Sequence, residues 1–136
     1  MPTIETFITE GHSDGRKQQL IESLTQAVVT SVDAPADSVR IILTEVPDGN
    51  FGVGGKAAEL NPQAVLQAFL IAGRTDAQKV ELIAALTDAA VTGLEARRED
   101  VRVIIKDVPN TDFGLGGKTA AALGRGIGRA AMRGPV

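Results

Sequence analysis

The residue types in this chain restrict the chemistry it can perform. Its 136 residues include no Cys and a single His. That composition excludes disulfides, thiol nucleophiles, zinc–thiolate sites and multi-histidine metal centres. With no Trp, no Tyr and only four Phe, the chain also lacks the stacking platforms that bind single-stranded nucleic acid. Any catalysis must therefore use carboxylates, arginines, lysines, hydroxyl groups or a chain terminus.

Pro2 offers one unusual base. A proline at a free N-terminus is a secondary amine, whereas a proline inside a chain is an amide without a usable lone pair. Pro2 is therefore a base only if Met1 is removed, which a small second residue permits. A general base works best with a pKa near the operating pH. An apolar pocket rimmed by arginines would lower the pKa of this amine and would also bind an anionic substrate.

The sequence contains an internal repeat. With a shift of 62 positions, residues 3–61 align with residues 65–123 without a gap and share 23 identities over 59 positions. Such a repeat determines the fold class. A unit of this size buries only about 60% of the surface of its unfolded chain. We therefore expect the two halves to pack on each other and on further subunits.

Each repeat has the pattern strand, helix, strand, hairpin. β-Branched runs predict the strands, and apolar residues at helical spacing predict the helices. A strand–helix–strand unit joins parallel strands by a right-handed crossover. We predict an α/β (α+β) fold in which two tandem β-α-β repeats form one four-stranded sheet backed by two helices. The predicted strands are Thr3–Thr9, Val39–Leu43, Val65–Ile71 and Val101–Ile105. The first helix is predicted to begin at Ser13 or Asp14 and the second to cover Asp76–Leu94, each capped at its start.

The predicted boundaries follow the repeats. The first repeat covers residues 1–60, a linker covers 61–63, the second repeat covers 64–123, and a basic tail of small residues covers 124–136. From Lys118 onward the chain has four basic residues (Lys118, Arg125, Arg129 and Arg133) and no acid, whereas the preceding part has 10 basic and 17 acidic residues. We interpret the tail as balancing an acidic body, and predict no nucleic-acid partner.

The apolar runs are too short for a membrane span of about 20 residues, and no signal peptide is visible. With no Cys, this pattern predicts a cytoplasmic protein without a membrane partner.

A glycine-rich turn follows the second strand of each repeat, at Phe51–Lys56 and Phe113–Lys118. A phosphate-binding loop requires a glycine five residues before its Gly-Lys-Thr sequence, and Asp112 stands at that position instead. We therefore predict β-hairpins whose glycines supply positive φ angles.

Five short motifs follow one another at fixed spacing in the first repeat. They are Met1-Pro2-Thr3-Ile4, Glu10-Gly11-His12-Ser13-Asp14, Asp33-Ala34-Pro35, Ser38-Val39-Arg40-Ile41-Ile42 and Phe51-Gly52-Val53-Gly54-Gly55. In this order the sequence resembles the 4-oxalocrotonate tautomerase family of the tautomerase superfamily. The resemblance covers nearly all of the first repeat and extends from Val65 to Gly117 in the second.

The resemblance implies a catalytic N-terminal proline, arginines that hold substrate carboxylates, and a phenylalanine wall. Pro2 matches the proline, whereas the equivalent position of the second repeat is Ala64, so that repeat has no base. The family's glycine–arginine pair matches Gly73-Arg74; the first repeat has His12 in place of that arginine. In the family this arginine comes from the half opposite the proline. One site would then combine Pro2 with Arg74, and the other Ala64 with His12.

Two further positions have a match in each repeat. The family's second arginine matches Arg40 and Arg102, and it comes from a neighbouring unit, so the sequence does not choose between them. The wall residue matches Phe51 and Phe113, and the same cross-half reasoning favours Phe113 for the Pro2 site. Without the resemblance, both arginines read as charges on an exposed sheet face.

The implied activity is that of an isomerase. A tautomerase would convert an enol or dienol 2-hydroxy carboxylate, such as 2-hydroxymuconate, to its 2-oxo form, with Pro2 as general base. The implied partner is a small carboxylate; no metal or organic cofactor is implied, and fused pairs would assemble as a trimer. Two alternatives remain open at this stage. One is a dehalogenase, hydratase or decarboxylase that keeps the amine protonated, and the other is an oligomeric protein whose sites have decayed.

Overall fold

The computed structural model describes residues 1–58 and 61–127. In chain order the elements are β1 (Thr3–Thr9), α1 (Asp14–Val32), β2 (Arg40–Val46), β3 (Gly52–Val53), β4 (Lys56–Ala57), β5 (Ala64–Ile71), α2 (Asp76–Leu94), β6 (Val101–Val108), β7 (Gly114–Leu115) and β8 (Lys118–Thr119). Short 3₁₀ turns precede β2, β3 and β6. Within the described ranges, no helix combines the length and apolar character that a membrane crossing requires.

The main sheet has the strand order β2-β1-β5-β6. β1 pairs with β2 and β5 pairs with β6 in parallel, and the two repeats meet where β1 runs antiparallel to β5. The predicted fold class is confirmed. β2 and β6 each continue three residues beyond their predicted ends, to Val46 and Val108. They do so because each stays in register with its parallel neighbour to that strand's end, so that Val46 pairs with Thr9 and Val108 with Ile71.

The core lies between the helices and one face of the sheet. α1 and α2 pack against each other, and alternate residues of β1 and β5 are buried beneath them. Burying side chains of this kind stabilises a fold by about 1.5–3 kcal/mol each. The largest buried residues include Ile4, Ile8, Leu20, Leu24, Val28, Leu66, Leu70, Leu82, Leu86 and Leu94. The site described below is built at the edges of this layer.

Both helices begin at a side-chain cap. Ser13 accepts a hydrogen bond from the backbone N–H of Arg16 at 3.2 Å, and Thr75 accepts one from the backbone N–H of Gln78 at 3.1 Å. The Gln78 side chain in turn accepts the Thr75 N–H at 3.0 Å, which completes a capping box. The predicted Ser13 cap is confirmed, whereas Asp14 and Asp76 are wrong as caps, because the preceding hydroxyl residue occupies the cap position of each helix.

The glycine-rich turns are hairpins, as predicted. β3 pairs with β4 and β7 pairs with β8, both antiparallel. The two glycines between each pair of strands have positive φ angles: 61° and 84° at Gly54 and Gly55, and 58° and 87° at Gly116 and Gly117. Two consecutive left-handed residues form the turn that matches the twist of a short hairpin. Each hairpin places a phenylalanine, Phe51 or Phe113, just ahead of it.

Candidate active site

The N-terminus is buried at the edge of the core. Met1 is 5% exposed, and its side chain packs with Ile71 and Ala120 against the partly buried Phe113 and Leu115. The backbone N–H of Arg40 donates to the Pro2 carbonyl at 2.9 Å, which extends the β1–β2 ladder to the start of the chain. The first two residues are therefore held in place by the sheet.

A cavity of about 420 Å³ opens beside this terminus. We call it the Met1 cavity. One side comes from the chain start and from the segment between α1 and β2 in the first repeat. The other comes from the second hairpin and the turn after it, so the site combines the two halves. Its lining residues are Met1, Thr3, Pro35, Asp37, Ser38, Arg40, Phe113, Leu115 and Arg125.

Burial and positive charge suppress protonation of the terminal amine. The pKa of the Met1 amine falls from 8.0 to about 5, chiefly because burial removes water from the ammonium form and then because of repulsion by Arg74, Arg125 and Arg40. An amine with this pKa is uncharged at neutral pH. The same arginines make the surroundings favourable for an anion.

Arg74 is almost fully buried beside this region, with 5% of its surface exposed. Its Nη1 donates to the Ile71 carbonyl at 3.1 Å, while Nε and Nη2 have no hydrogen-bond partner among the residues that the structure describes. Burial lowers the pKa of Arg74, although a guanidinium stays protonated at any pH a protein tolerates. Buried donors of this kind call for an explanation, and an anionic ligand supplies one.

Two neighbours fix the position of Arg74. Gly73 precedes it with a φ of 129°, a conformation that L side chains rarely adopt, and the Thr75 cap of α2 follows it. Ile127 lies over Gly73, so that a Cβ at Gly73 would stand 3.3 Å from the Ile127 Cδ1. Ile127 thus packs against the turn that contains Arg74.

A second cavity occupies the equivalent place in the other half. It measures about 360 Å³, and we call it the Ala64 cavity. It has no terminal amine, and its lining includes two carboxylates. The residues around it are Phe51, Gly52, Val53, Gly54, Gln63, Ala64, Val65, Glu99, Asp100 and Arg102.

The structure divides the duplicated candidates between the two cavities. Arg40 and Phe113 line the Met1 cavity, whereas Arg102 and Phe51 line the Ala64 cavity. His12 lines neither; it lies in a small separate depression with Glu10, Asp48 and Pro62. His12 thus lies outside the lining of the Ala64 cavity, just as Arg74 lies outside the lining of the Met1 cavity, and the pairing of Ala64 with His12 stays a prediction.

Arg125 is the site residue that sequence reasoning missed. It was assigned to a basic tail, yet it lines the Met1 cavity and influences the amine there. Arg129 and Arg133, the remaining tail arginines, lie outside the described residues. The sequence feature that could have indicated its position is Gly124, directly before Arg125. A glycine often ends a helical turn, and this ending fixes the backbone direction of the next residue.

In the part of the chain that the structure describes, no group of three or more His, Asp or Glu side chains is arranged to hold a metal ion. The chemistry that the arrangement can support is proton transfer by an uncharged amine beside a bound anion.

Known proteins share this sequence and architecture. The family model described as tautomerase enzyme matches residues 2–61 and 66–122. A 2-hydroxymuconate tautomerase from Pseudomonas putida is 45% identical over 62 residues, which cover 45% of this chain and 98% of the relative. That relative therefore has the length of one repeat.

Solved structures match both repeats together. A fused 4-OT described as a wild-type asymmetric trimer is 54% identical, with a TM-score of 0.86 over 90% of this chain and 99% of that chain. A fused 4-OT described as a wild-type symmetric trimer is 39% identical, with a TM-score of 0.85 over the same shares. The chain therefore belongs to the tautomerase family, as an isomerase in which two tautomerase repeats are fused into one polypeptide.

Proposed function

We propose that this tautomerase converts 2-hydroxymuconate, or a close 2-hydroxy dienoate, to its 2-oxo form, with Pro2 as the general base. The proposal requires removal of Met1, which would make the proline nitrogen the terminal amine. The observation that carries it is the buried terminus beside the Met1 cavity, where burial and three arginines lower the pKa of the Met1 amine to about 5. The relatives named 2-hydroxymuconate tautomerase support the choice of substrate.

One amine is sufficient for both proton transfers. The uncharged Pro2 nitrogen takes the proton of the substrate's 2-hydroxyl group, and the oxygen's electrons form the carbonyl. The conjugated double bonds shift, and the proton held by Pro2 is delivered to the substrate carbon that gains electron density. The reaction is an isomerisation, so it needs no oxidant, reductant or second substrate. Such a base typically contributes about 10²–10⁴ in rate.

Arginines would hold the substrate. Loss of Met1 would vacate the space that its side chain fills against Ile71 and Ala120. Arg74 donates a hydrogen bond to the Ile71 carbonyl, so this space lies close to the guanidinium. We propose that Arg74, with two guanidinium nitrogens unpartnered among the described residues, binds a substrate carboxylate there. Arg40 would stabilise the oxygen on which charge develops, and Phe113 would form the wall.

The protein would assemble as a trimer, as the fused 4-OT relatives are described to do. The sheet face opposite the helices carries the exposed side chains of Ile42 and Ile104. A trimer that packs these faces together would bury them. This placement supports an interface on the sheet and leaves the helices outside.

The test is ultraviolet monitoring of 2-hydroxymuconate ketonisation by wild type, Pro2→Ala and Arg74→Ala, with intact-mass confirmation that Met1 is absent. We expect Pro2→Ala to lose about 10²–10⁴ in kcat/KM and Arg74→Ala about 10–100-fold, the value of one charge-assisted hydrogen bond. Equal rates for the three proteins would overturn the proposal.

A further inference from the structure

A capped turn follows the second hairpin and leads into the Met1 cavity. The Thr119 hydroxyl accepts the backbone N–H of Ala122 at 3.0 Å, and the Thr119 carbonyl accepts the N–H of Leu123 at 3.1 Å. These bonds form one helical turn that begins at a side-chain cap. The turn is short, so its geometry depends on how it ends.

The turn ends in a way that fixes Arg125. Gly124 has a φ of 68°, its N–H donates to the Ala121 carbonyl at 3.0 Å, and the N–H of Arg125 donates to the Ala120 carbonyl at 2.8 Å. This pair of bonds is the Schellman motif, which requires a left-handed residue at the glycine position. The Asn110 side-chain amide also donates to the Arg125 carbonyl at 3.4 Å. The backbone of Arg125 is thus held on both sides of its peptide unit.

From this position the Arg125 side chain lines the Met1 cavity together with Arg40 and Phe113. Arg125 is partly buried, and its charge is one of the three that act on the terminal amine. A guanidinium at the wall of a cavity presents a planar fork that fits a carboxylate.

The first repeat has no equivalent of this cation. Sixty-two positions earlier, Pro62 and Gln63 stand where the second repeat has Gly124 and Arg125. Proline is locked at a φ near −65° and cannot take the left-handed position of the motif. Gln63 lines the Ala64 cavity, whose charged side chains are Arg102, Glu99 and Asp100. Two acids and one base line that cavity.

In the Met1 cavity the balance is reversed, because Arg40 and Arg125 oppose the single acid Asp37. The capped turn therefore places an extra positive charge only in the cavity that contains the terminal amine. A dianion benefits from that charge more than a monoanion does.

We propose that Arg125 binds the second carboxylate of a dicarboxylate substrate and so makes the Met1 cavity selective for dicarboxylates over monocarboxylates. This inference rests on the proposed function, because it concerns the same site. It adds a substrate-binding residue from the segment after the second hairpin and assigns a purpose to the Gly124 turn.

The test compares two ligands with the same six-carbon diene chain, trans,trans-muconate with two carboxylates and sorbate with one. Calorimetric titration of the assembled, Met1-free protein gives each Kd for wild type, Arg125→Gln, Arg125→Lys and Gly124→Ala. Arg98→Gln is the matched control, because it also removes one positive charge, from an exposed pair with Asp88. Far-ultraviolet circular dichroism checks that each variant is folded.

We expect Arg125→Gln to weaken muconate binding by about 10–100-fold, the value of a charge-assisted hydrogen bond, while sorbate binding changes less than about threefold. Arg125→Lys should retain part of the selectivity, since a lysine keeps the charge without the fork. Gly124→Ala should weaken muconate binding in the same selective way. Arg98→Gln should leave both Kd values unchanged.

An equal loss for both ligands, no loss for either, or failure of the wild-type protein to bind muconate would overturn the inference. Because titration involves no turnover, the two proposals fail separately. Selective binding by a protein that does not ketonise 2-hydroxymuconate refutes only the proposed function. Full activity without selective loss in Arg125→Gln refutes only the role of Arg125.

Discussion

At the scale of single residues, the central feature is an amine whose surroundings oppose its charge. Met1 is 5% exposed, and the pKa of its amine falls to about 5 because burial and then Arg74, Arg125 and Arg40 all disfavour the ammonium form. After Met1 removal we expect the Pro2 amine to experience the same effects, since Pro2 is itself buried. The arginines would then have two roles, lowering a pKa and binding an anion.

The pH dependence of activity follows from the direction of this shift. A base must be deprotonated, so kcat/KM should rise with pH through the lowered pKa of the Pro2 amine and reach its plateau at or below neutral pH. Arg74→Gln removes a repelling charge and should move the rise to higher pH. A pH–rate profile with phenylenolpyruvate checks both. A fall in kcat/KM across the same range would instead indicate the acid mechanism of a hydratase or dehalogenase.

The duplicated arginines allow a comparison within one chain. Arg40 lines the Met1 cavity and Arg102 lines the Ala64 cavity. We therefore predict that Arg40→Gln lowers kcat/KM for 2-hydroxymuconate by about 10–100-fold, and by more than Arg102→Gln does. Steady-state kinetics of the two variants measures the difference. The larger loss in Arg102→Gln would show that the arginine reaches the site from a neighbouring subunit.

At the scale of elements, the N-terminus of α2 positions Arg74. The Thr75 capping box begins the helix one residue after Arg74, and Ile71 at the end of β5 accepts the hydrogen bond of its guanidinium. The strand and the helix cap therefore hold the arginine between them. In the first repeat Ser13 caps α1 directly after His12, which lines a separate small depression with Glu10 and Asp48.

Removing the cap of either helix should lower the stability of the protein, but only one of the two changes should weaken substrate binding. Thr75→Ala and Ser13→Ala should each lower the free energy of unfolding by about 1 kcal/mol, measured by urea denaturation. Only Thr75→Ala should raise KM for 2-hydroxymuconate, because only that cap adjoins the arginine proposed to bind substrate. Equal effects of the two variants on KM would contradict the positioning of Arg74 by its helix.

The elements could be predicted from the sequence to the extent that their signals are local. β1 and α2 match their predicted ranges, and the glycine pairs gave the hairpins, because periodicity and positive-φ turns are encoded by neighbouring residues. The extra residues of β2 could not be predicted, since Thr44 and Glu45 become strand only through pairing with β1.

The candidate site was less accessible from the sequence. The order and spacing of the short motifs indicated Pro2, Arg74 and Phe113 through a family resemblance. It did not indicate Arg125, because the approach of that residue to Met1 joins the two ends of the described chain and depends on the fold of everything between them. The division of Arg40 and Arg102 between cavities likewise required the geometry.

At the scale of the whole molecule, the sheet has one face that the two helices leave bare. Ile42, Glu5, Gln67 and Ile104 lie in register across its four strands. The outer two of these side chains are 48% and 45% exposed in the single chain. We infer that packing this face against a neighbouring subunit would bury both isoleucines.

We predict that the double variant Ile42→Lys/Ile104→Lys is a monomer, because six added charges would face one another in a trimer. Light scattering after size-exclusion chromatography should give the 14.1 kDa mass of one chain, whereas wild type should give about three times that mass. Val80→Lys is the control, because Val80 is 67% exposed on α2, away from the sheet. A double variant that remains trimeric would contradict an interface on this face.

The measurement that tests the central claim most directly is titration of the terminal nitrogen by NMR on protein carrying ¹⁵N-labelled proline. The account predicts that the chain starts at Pro2 and that this amine is uncharged at neutral pH, with a pKa well below its ordinary value. A terminus that still carries Met1, or a Pro2 amine that stays protonated into alkaline solution, would contradict it.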